Sequence, residues 1–191
     1  MSHDMDWDTK FLVGLAEVDA ACAARVQEAG CLHCGDGKLD RADYPRKARG
    51  DLGEAAGAYE KRHSFCCRKD GCRRRSTPPS LRFLGRKVYL AVLVIAASVA
   101  VRTRSVERRR QVLGVPVRTV RRWVEWWQTV FALSAFFVEA KAFFAVPLAV
   151  GELPASLLLR FGTGAMAIEK MLRFIAPITT SSVRASIAMG A

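Results

Sequence analysis

Two cysteine pairs in the first half of the chain could together bind a metal ion. Cys31 and Cys34 form a Cys-x-x-Cys pair, and Cys67 and Cys72 form a second, looser pair about thirty residues later. Zinc prefers four thiolate or imidazole ligands in a tetrahedron, and two such pairs, each on a tight turn, supply them. Because Gly35 and Gly71 suit those turns, we predict a zinc site with the ligands Cys31, Cys34, Cys67 and Cys72.

The sequence contains other cysteines and histidines that could be metal ligands in place of these four. Cys66 is adjacent to Cys67, but alternation along a strand would place Phe65 and Cys67 on one face, which favours Cys67 as the ligand. Cys22 and Cys66 are then ordinary thiols. His33 and His63 lie close enough in sequence to replace a thiolate, although solvent-exposed or supporting roles are the simpler interpretation.

Two other functions of the cysteines are disfavoured. A disulfide framework needs an oxidising compartment, but the first eight residues are acidic where a signal peptide would be basic and then apolar. We therefore expect a cytoplasmic protein. A redox Cys-x-x-Cys would precede a helix, whereas residues 35–39 have the composition of a hairpin turn.

Charge is concentrated in the middle of the chain. Residues 71–128 contain fourteen basic and two acidic side chains, so their net charge of +12 equals that of the whole protein. Residues 1–30 contain two basic and six acidic side chains. A segment this cationic is commonly a binding site for phosphate backbones, so we expect nucleic acid as the partner.

The basic segment has the pattern of three helices after the prolines at 78 and 79. The first is predicted over Gly85–Val101 and the second over Val106–Leu113, and Pro116 suits the first position of a third. In the third helix, apolar residues recur at helical spacing from Val117 to Phe131. We predict that this stripe packs in the core while Arg118, Arg121, Arg122 and Glu125 occupy the opposite face.

The segment Leu113–Trp123 resembles the helix-turn-helix of bacterial insertion-sequence transposases and resolvases. A zinc ribbon followed by such a motif is similar to the DNA-binding region of several transposase families, and small transposon-linked proteins share this arrangement. The resemblance covers residues 31–128 and differs from the family pattern at Pro116, where serine is usual. It implies contacts to bases or phosphates from the positions Arg118, Thr119, Arg121 and Arg122. The ribbon arginines Arg73, Arg74 and Arg75 are further candidates for DNA contacts.

The acidic residues argue against a transposase activity. Strand transfer in that superfamily uses an Asp/Asp/Glu cluster that holds two metal ions, but no aspartate follows Asp70. The last tyrosine is Tyr89, so a tyrosine recombinase site is also missing from the remaining sequence. We expect a protein that is not an enzyme, with a divergent nuclease as the third-ranked alternative.

The C-terminal third is apolar but interrupted. The segment 129–151 has Glu139 and Lys141 at its centre, and 88–101 is too short to cross a bilayer. We expect a helical extension that ends in a frayed tail from Ile178. A protein-interaction or membrane-surface module that uses the basic helices is the alternative function.

Together these patterns predict an α+β chain that is mostly helical. The predicted segments are an acidic helical leader at 1–30, a zinc ribbon at 31–75, a helix-turn-helix unit at 81–131 and an apolar helical extension at 132–191. The predicted function is non-catalytic, sequence-directed binding of double-stranded DNA linked to a mobile element. The predicted cofactor is zinc, and a transposase or a second copy of the chain are the candidate protein partners.

Overall fold

The computed structural model describes residues 7–35, 37–84, 89–100 and 114–180. These residues divide into two compact units. The first, which we call the cysteine unit, contains the described residues of 7–90 and of 172–180. The second, the helical unit, contains the described residues of 91–171. The fold is α+β and mostly helical, with small antiparallel sheets near four clustered cysteines, as the sequence predicted.

The cysteine unit begins with the long helix α1, Thr9–Ala29. Asp8 caps its start, because the Asp8 carboxylate accepts a hydrogen bond of 2.8 Å from the Phe11 N–H. Gly30, with a φ of 76°, ends it in a conformation that favours glycine. Residues three or four apart on one face of α1 are buried: Leu12, Leu15, Asp19, Cys22 and Ala23.

Five short strands follow α1 in two sheets: β1, Leu39–Arg41; β2, Tyr44–Pro45; β3, Lys61–Arg62; β4, Phe65–Cys67; and β5, Arg75–Ser76. The larger sheet has the order β1-β4-β5 and is antiparallel throughout. Its register places Leu39 opposite Cys67 and Phe65 opposite Ser76. Strands β2 and β3 form the second sheet, and the 3-10 helix Gly53–Tyr59 lies between them in sequence.

Tyr89 and Leu90, which lie within the first predicted helix, are not helical in the structure. Tyr89 was expected inside a helix that begins at Gly85. Instead Tyr89 pairs with Arg49 and Leu90 pairs with Phe83 in isolated bridges, and the Leu90 N–H donates to the Arg49 carbonyl. The backbone at Tyr89 and Leu90 is thus extended, because it pairs with residues outside the predicted helix.

A buried polar network connects α1 to the segment that follows β5. The Asp19 carboxylate is fully buried and accepts hydrogen bonds from the Ser80 hydroxyl, the Leu81 N–H and the Arg82 guanidinium. A second buried guanidinium, that of Arg62, lies 3.9 Å from the same carboxylate. A carboxylate in the core is tolerated because donors surround it.

The chain returns to this network near its C-terminal end. Arg62 donates to the Thr179 carbonyl at 3.3 Å, and the Ser80 N–H donates to the Thr179 hydroxyl at 2.9 Å. The structure therefore differs from the predicted frayed tail at Thr179 and Thr180, which are both buried. The polar composition suggested fraying, but long-range hydrogen bonds hold this segment. The rest of that predicted tail, 181–191, lies outside the described residues.

The helical unit consists of helices and short turns. Its helices are α2, Ala91–Ala100; α3, Val117–Trp126; α4, Ala135–Ala140; α5, Ala155–Leu158; and α6, Gly164–Ile175, whose last four residues belong to the cysteine unit. A π-helical turn, Trp127–Phe131, continues α3, and α2 packs against α3. The second predicted helix, Val106–Leu113, lies outside the described residues. Within the described ranges, no helix has both the length and the apolar content needed to cross a membrane.

Candidate metal centre

Four thiols converge near the end of α1 and the end of β4, the central strand of the larger sheet. The sulfur atoms of Cys31, Cys34, Cys67 and Cys72 all lie within 4.8 Å of one another. Cys31 Sγ is 3.7 Å from Cys72 Sγ, and Cys34 Sγ is 3.7 Å from Cys67 Sγ. In the described part of the chain this is the only group of three or more cysteine, histidine or acidic side chains close enough to share a metal ion.

The spacing of the sulfur atoms fits a tetrahedral zinc ion. At a zinc–sulfur distance of about 2.3 Å, two corners of a tetrahedron are separated by about 3.8 Å. The two sulfur contacts of 3.7 Å match that separation, and all four cysteines are free thiols. The site therefore has the donor set and the size of a structural zinc site with four cysteine ligands.

Strand β4 selects which of two adjacent cysteines reaches the cluster. Phe65 and Cys67 are both fully buried, while Cys66 between them is half-buried and its thiol lies 3.4 Å from the Arg73 carbonyl. Alternation along the strand produces this difference, since successive side chains point to opposite faces. The structure thus places Cys67 in the cluster and Cys66 outside it.

The first cysteine pair lies on a turn that directly follows α1. The Cys31 N–H donates to the Gly37 carbonyl at 2.9 Å, and the Gly35 N–H donates to the Cys31 carbonyl at 2.9 Å. Gly35 has a φ of 78°, which a side chain would oppose. These bonds fold the chain back on itself, so that both thiols of the pair face the same point.

The second pair spans the end of β4 and a turn. The Cys72 N–H donates to the Lys69 carbonyl at 3.1 Å, and Gly71 takes a φ of 81°. Arg73 follows with a φ of 45°, an uncommon conformation for a residue with a side chain. The Cys67 N–H then donates to the Arg74 carbonyl at 2.9 Å, which closes the turn.

Gly37 is a residue of this site that the sequence analysis missed. A Cβ atom at Gly37 would overlap Cys67 Sγ and would lie 2.8 Å from Cys34 Sγ. Only glycine leaves room for the thiols at that point, so the backbone of Gly37 forms one wall of the cluster. Its position three residues after Cys34 could have indicated a role at the site, but the composition of residues 35–39 suggested only a turn.

Apolar side chains surround the thiols. Ala23 of α1, Leu39 of β1 and Phe65 of β4 pack with Cys31 and Cys67 in one buried cluster. Such a small core buries limited apolar area, so a bound ion would supply much of its stability.

The pKa values of two thiols in the cluster are shifted in opposite directions. Burial acts to raise the pKa of Cys31, but hydrogen bonds from the His33 and Cys34 backbone N–H groups and from the neighbouring thiols outweigh it and lower that pKa to about 7. Burial raises the pKa of Cys67 to about 12, and the adjacent thiols reinforce the rise. Four thiols this close cannot all ionise without a cation to offset their charge.

His33 and His63, the two histidines close to the cysteine pairs in sequence, lie outside the cluster. His33 is exposed, and His63 Nδ1 is 3.5 Å from an Asp43 carboxylate oxygen. Burial lowers the pKa of His63, and the charge of Arg82 lowers it further.

The predicted DNA-binding residues occupy two separate places. Arg118, Arg121 and Arg122 are exposed on α3, and Thr119 is half-buried. On the ribbon, Arg73 and Arg74 are exposed. Arg75 is exposed as well, but its guanidinium donates to the Ala42 carbonyl at 2.9 Å and to the Ser64 hydroxyl at 3.0 Å, so part of its hydrogen-bonding capacity is used within the cysteine unit.

Comparison of the chain with models of known protein families, with curated proteins and with solved structures gave no match. The interpretation of the site therefore rests on its geometry and chemistry.

Proposed function

We propose that this is a zinc-stabilised, cytoplasmic protein that binds double-stranded DNA of a mobile element and has no catalytic activity of its own. The DNA-binding part of this proposal rests on how exposed and buried side chains are distributed around α3. Three arginines are exposed on one side of that helix, and the opposite side is buried.

The angular positions on α3 support this proposal. At about 100° per residue, Arg118, Arg121 and Arg122 fall within an arc of about 100°. Val120 and Trp123 are buried, with 5 % exposure each, and lie on the other side of the helix. A helix anchored by one face and arginine-rich on the other can enter a major groove, where arginine binds guanine edges or phosphates.

Glu125 is exposed and lies inside the same arc as the arginines. Its negative charge would face the phosphates as well, and it would therefore weaken binding by repulsion. This residue gives the proposal a specific prediction, because removing the charge should tighten binding to DNA.

The zinc ion would have a structural role. We propose that Cys31, Cys34, Cys67 and Cys72 hold it, because four thiolates saturate tetrahedral zinc and leave no position for a substrate. By fixing the turn after β4, the ion would hold Arg73 and Arg74 at the surface as phosphate contacts.

The link to a mobile element rests on the resemblance of residues 31–128 to transposase DNA-binding regions. The absence of catalysis rests on the lack of any aspartate after Asp70. Incubation with supercoiled plasmid and Mg²⁺ or Mn²⁺ should leave the plasmid intact. Nicking that Glu125→Gln or Glu152→Gln abolishes would instead indicate a nuclease.

The test of DNA binding is fluorescence anisotropy with random and selected duplexes at two salt concentrations. Binding should weaken more than about tenfold over a fourfold rise in salt, because arginine–phosphate contacts release counterions. Arg118→Ala and Arg122→Ala should each cost about 1–3 kcal/mol, and Glu125→Gln should raise the affinity. Arg160→Ala, an exposed arginine of the same unit outside α3, is the matched control and should change little.

Two results would contradict the proposal. The first is an equal loss of affinity for Arg118→Ala and Arg160→Ala. The second is tighter binding to anionic liposomes than to duplex DNA, which would favour the membrane-surface function.

A protein-interaction module is the second candidate function. Several large apolar side chains of the helical unit are exposed, with Leu133 at 80 % and Phe143 at 83 %. Exposed apolar groups of this size are typical of interaction surfaces. Cross-linking of the purified protein to itself or to a transposase would test it.

A further inference from the structure

The cysteine unit contains a cavity of about 250 Å³ beside α1. The α1 residues Cys22, Val26 and Ala29 line it, together with Pro79 and Pro177 from two other segments. Its walls are mostly apolar. The volume is slightly below the range of about 300–1,000 Å³ that small-molecule sites usually have, so a ligand here would be small.

The charged groups that line the cavity in the described part of the chain are all positive. They are Arg25 of α1 and Arg173 of α6. Both arginines are exposed, so their charged groups remain near water while the walls are apolar. Arg25 Nη2 lies 3.8 Å from Cys22 Sγ, which places that guanidinium beside another lining residue. An apolar space next to two guanidinium groups suits a molecule with an apolar body and a single negative end.

A hydroxyl at the cavity gives a second, independent indication of a ligand. Ser76 lines the cavity and is only 3 % exposed. Its Oγ is buried and has no hydrogen-bond partner among the described residues. Buried hydroxyls are almost always hydrogen-bonded, because leaving one unpaired costs about 1–3 kcal/mol. A ligand oxygen would provide the missing acceptor.

We propose that this cavity binds a small amphipathic carboxylate, with its alkyl chain between α1 and the two proline segments. Its carboxylate would lie at Arg25 and Arg173 and accept a hydrogen bond from Ser76. At about 30 Å³ for each water-sized unit, the volume holds about eight heavy atoms, which allows a chain of about six to eight carbons when the two carboxylate oxygens lie at the exposed arginines. The residues that line the cavity include neither the four clustered cysteines nor any residue of α3.

Titration of the zinc-loaded full chain with sodium octanoate tests the proposal. Amide chemical-shift changes should be concentrated at the lining residues, including Val26, Ala29 and Thr180. Octan-1-ol has the same chain without the charge and should bind several-fold more weakly, and octylammonium should not bind.

Substitutions separate a ligand contact from a merely structural role. Arg25→Gln and Arg173→Gln should each weaken octanoate binding by about two- to fivefold, the size expected for exposed charge pairs. Arg41→Gln, an exposed arginine that does not line the cavity, should leave binding unchanged. Ser76→Ala should weaken octanoate binding while the ligand-free protein keeps or gains thermal stability, because it loses an unpaired buried hydroxyl.

Equal affinity for octanoate and octan-1-ol would overturn the proposal. Octanoate binding that is unaffected by Arg25→Gln and Arg173→Gln, or shift changes located away from the cavity, would also overturn it.

Discussion

The two compact units use different means to hold short elements together. The cysteine unit combines strands of two or three residues with four clustered thiols and a fully buried carboxylate. In the helical unit, aromatic side chains pack around the end of α3, and the Trp127 and Phe131 ring centroids lie 4.8 Å apart. The cysteine unit is therefore organised around a few specific contacts between thiol or polar groups, whereas the helical unit is organised around apolar area spread over many side chains.

Removal of a zinc ligand should have the largest effect. In Cys67→Ser the cysteine unit should lose both its metal and its fold, because zinc binding in such domains supplies apparent free energies of about 10–16 kcal/mol. The measurement is zinc content by elemental analysis together with amide exchange. Cys66→Ser is the matched control and should keep one zinc per chain. Zinc retained in Cys67→Ser but lost in Cys66→Ser would exclude the proposed ligand set.

Removal of the buried carboxylate should come next. Asp19→Asn leaves the Arg62 and Arg82 guanidinium groups buried without a counter-charge, so unfolding in urea should show a loss of about 3–5 kcal/mol. Asp40→Asn, which breaks the exposed pair with Arg68, should cost less than about 1 kcal/mol. Similar losses in the two variants would mean that the buried network does not stabilise the cysteine unit.

In the helical unit, the loss of stability caused by a substitution should depend on how much apolar area the replaced side chain buries. Phe137 is fully buried and Phe143 is 83 % exposed, which makes them a matched pair. Phe137→Ala should cost about 3–4 kcal/mol through lost burial and a cavity, and Phe143→Ala less than about 0.5 kcal/mol. Thermal unfolding followed by tryptophan fluorescence measures both. If Phe143→Ala were the more harmful, the helical unit would not be organised around this core.

The smallest of these effects should come from a single added methyl group at the metal centre. Gly37→Ala introduces a Cβ atom against two thiols and should weaken zinc binding by about 1–3 kcal/mol through overpacking. Gly57→Ala adds the same group where no atom lies within 4 Å. Competition with a zinc chelator would compare the two variants. Equal zinc affinities would show that the thiols do not need the space at Gly37.

Local patterns in the sequence were sufficient for several elements. The alternation of Phe65, Cys66 and Cys67 predicted which cysteine joins the cluster, because side-chain direction in a strand depends only on parity. The period of Val120, Trp123 and Trp127 predicted the buried side of α3, since helical geometry fixes which residues share a face.

Other features depend on residues far apart in the chain, and the sequence analysis did not predict them. Tyr89 and Leu90 are extended rather than helical because Arg49 and Phe83 supply their backbone partners. Thr179 is buried because Arg62 and Ser80, about a hundred residues earlier, bind it. Propensity describes only near neighbours, so long-range hydrogen bonds can override it.

The sequence by itself therefore determined the spacing of four cysteines that can bind a metal, the concentration of positive charge and the amphipathic pattern of α3, because each is a property of residue type and spacing. Only the tertiary structure decided that Gly37 must be glycine, that Arg75 donates to Ala42 and Ser64, and that Asp19 is buried beside two arginines. Those features arise where separate segments meet, and the position of one segment against another is set by packing of the whole unit.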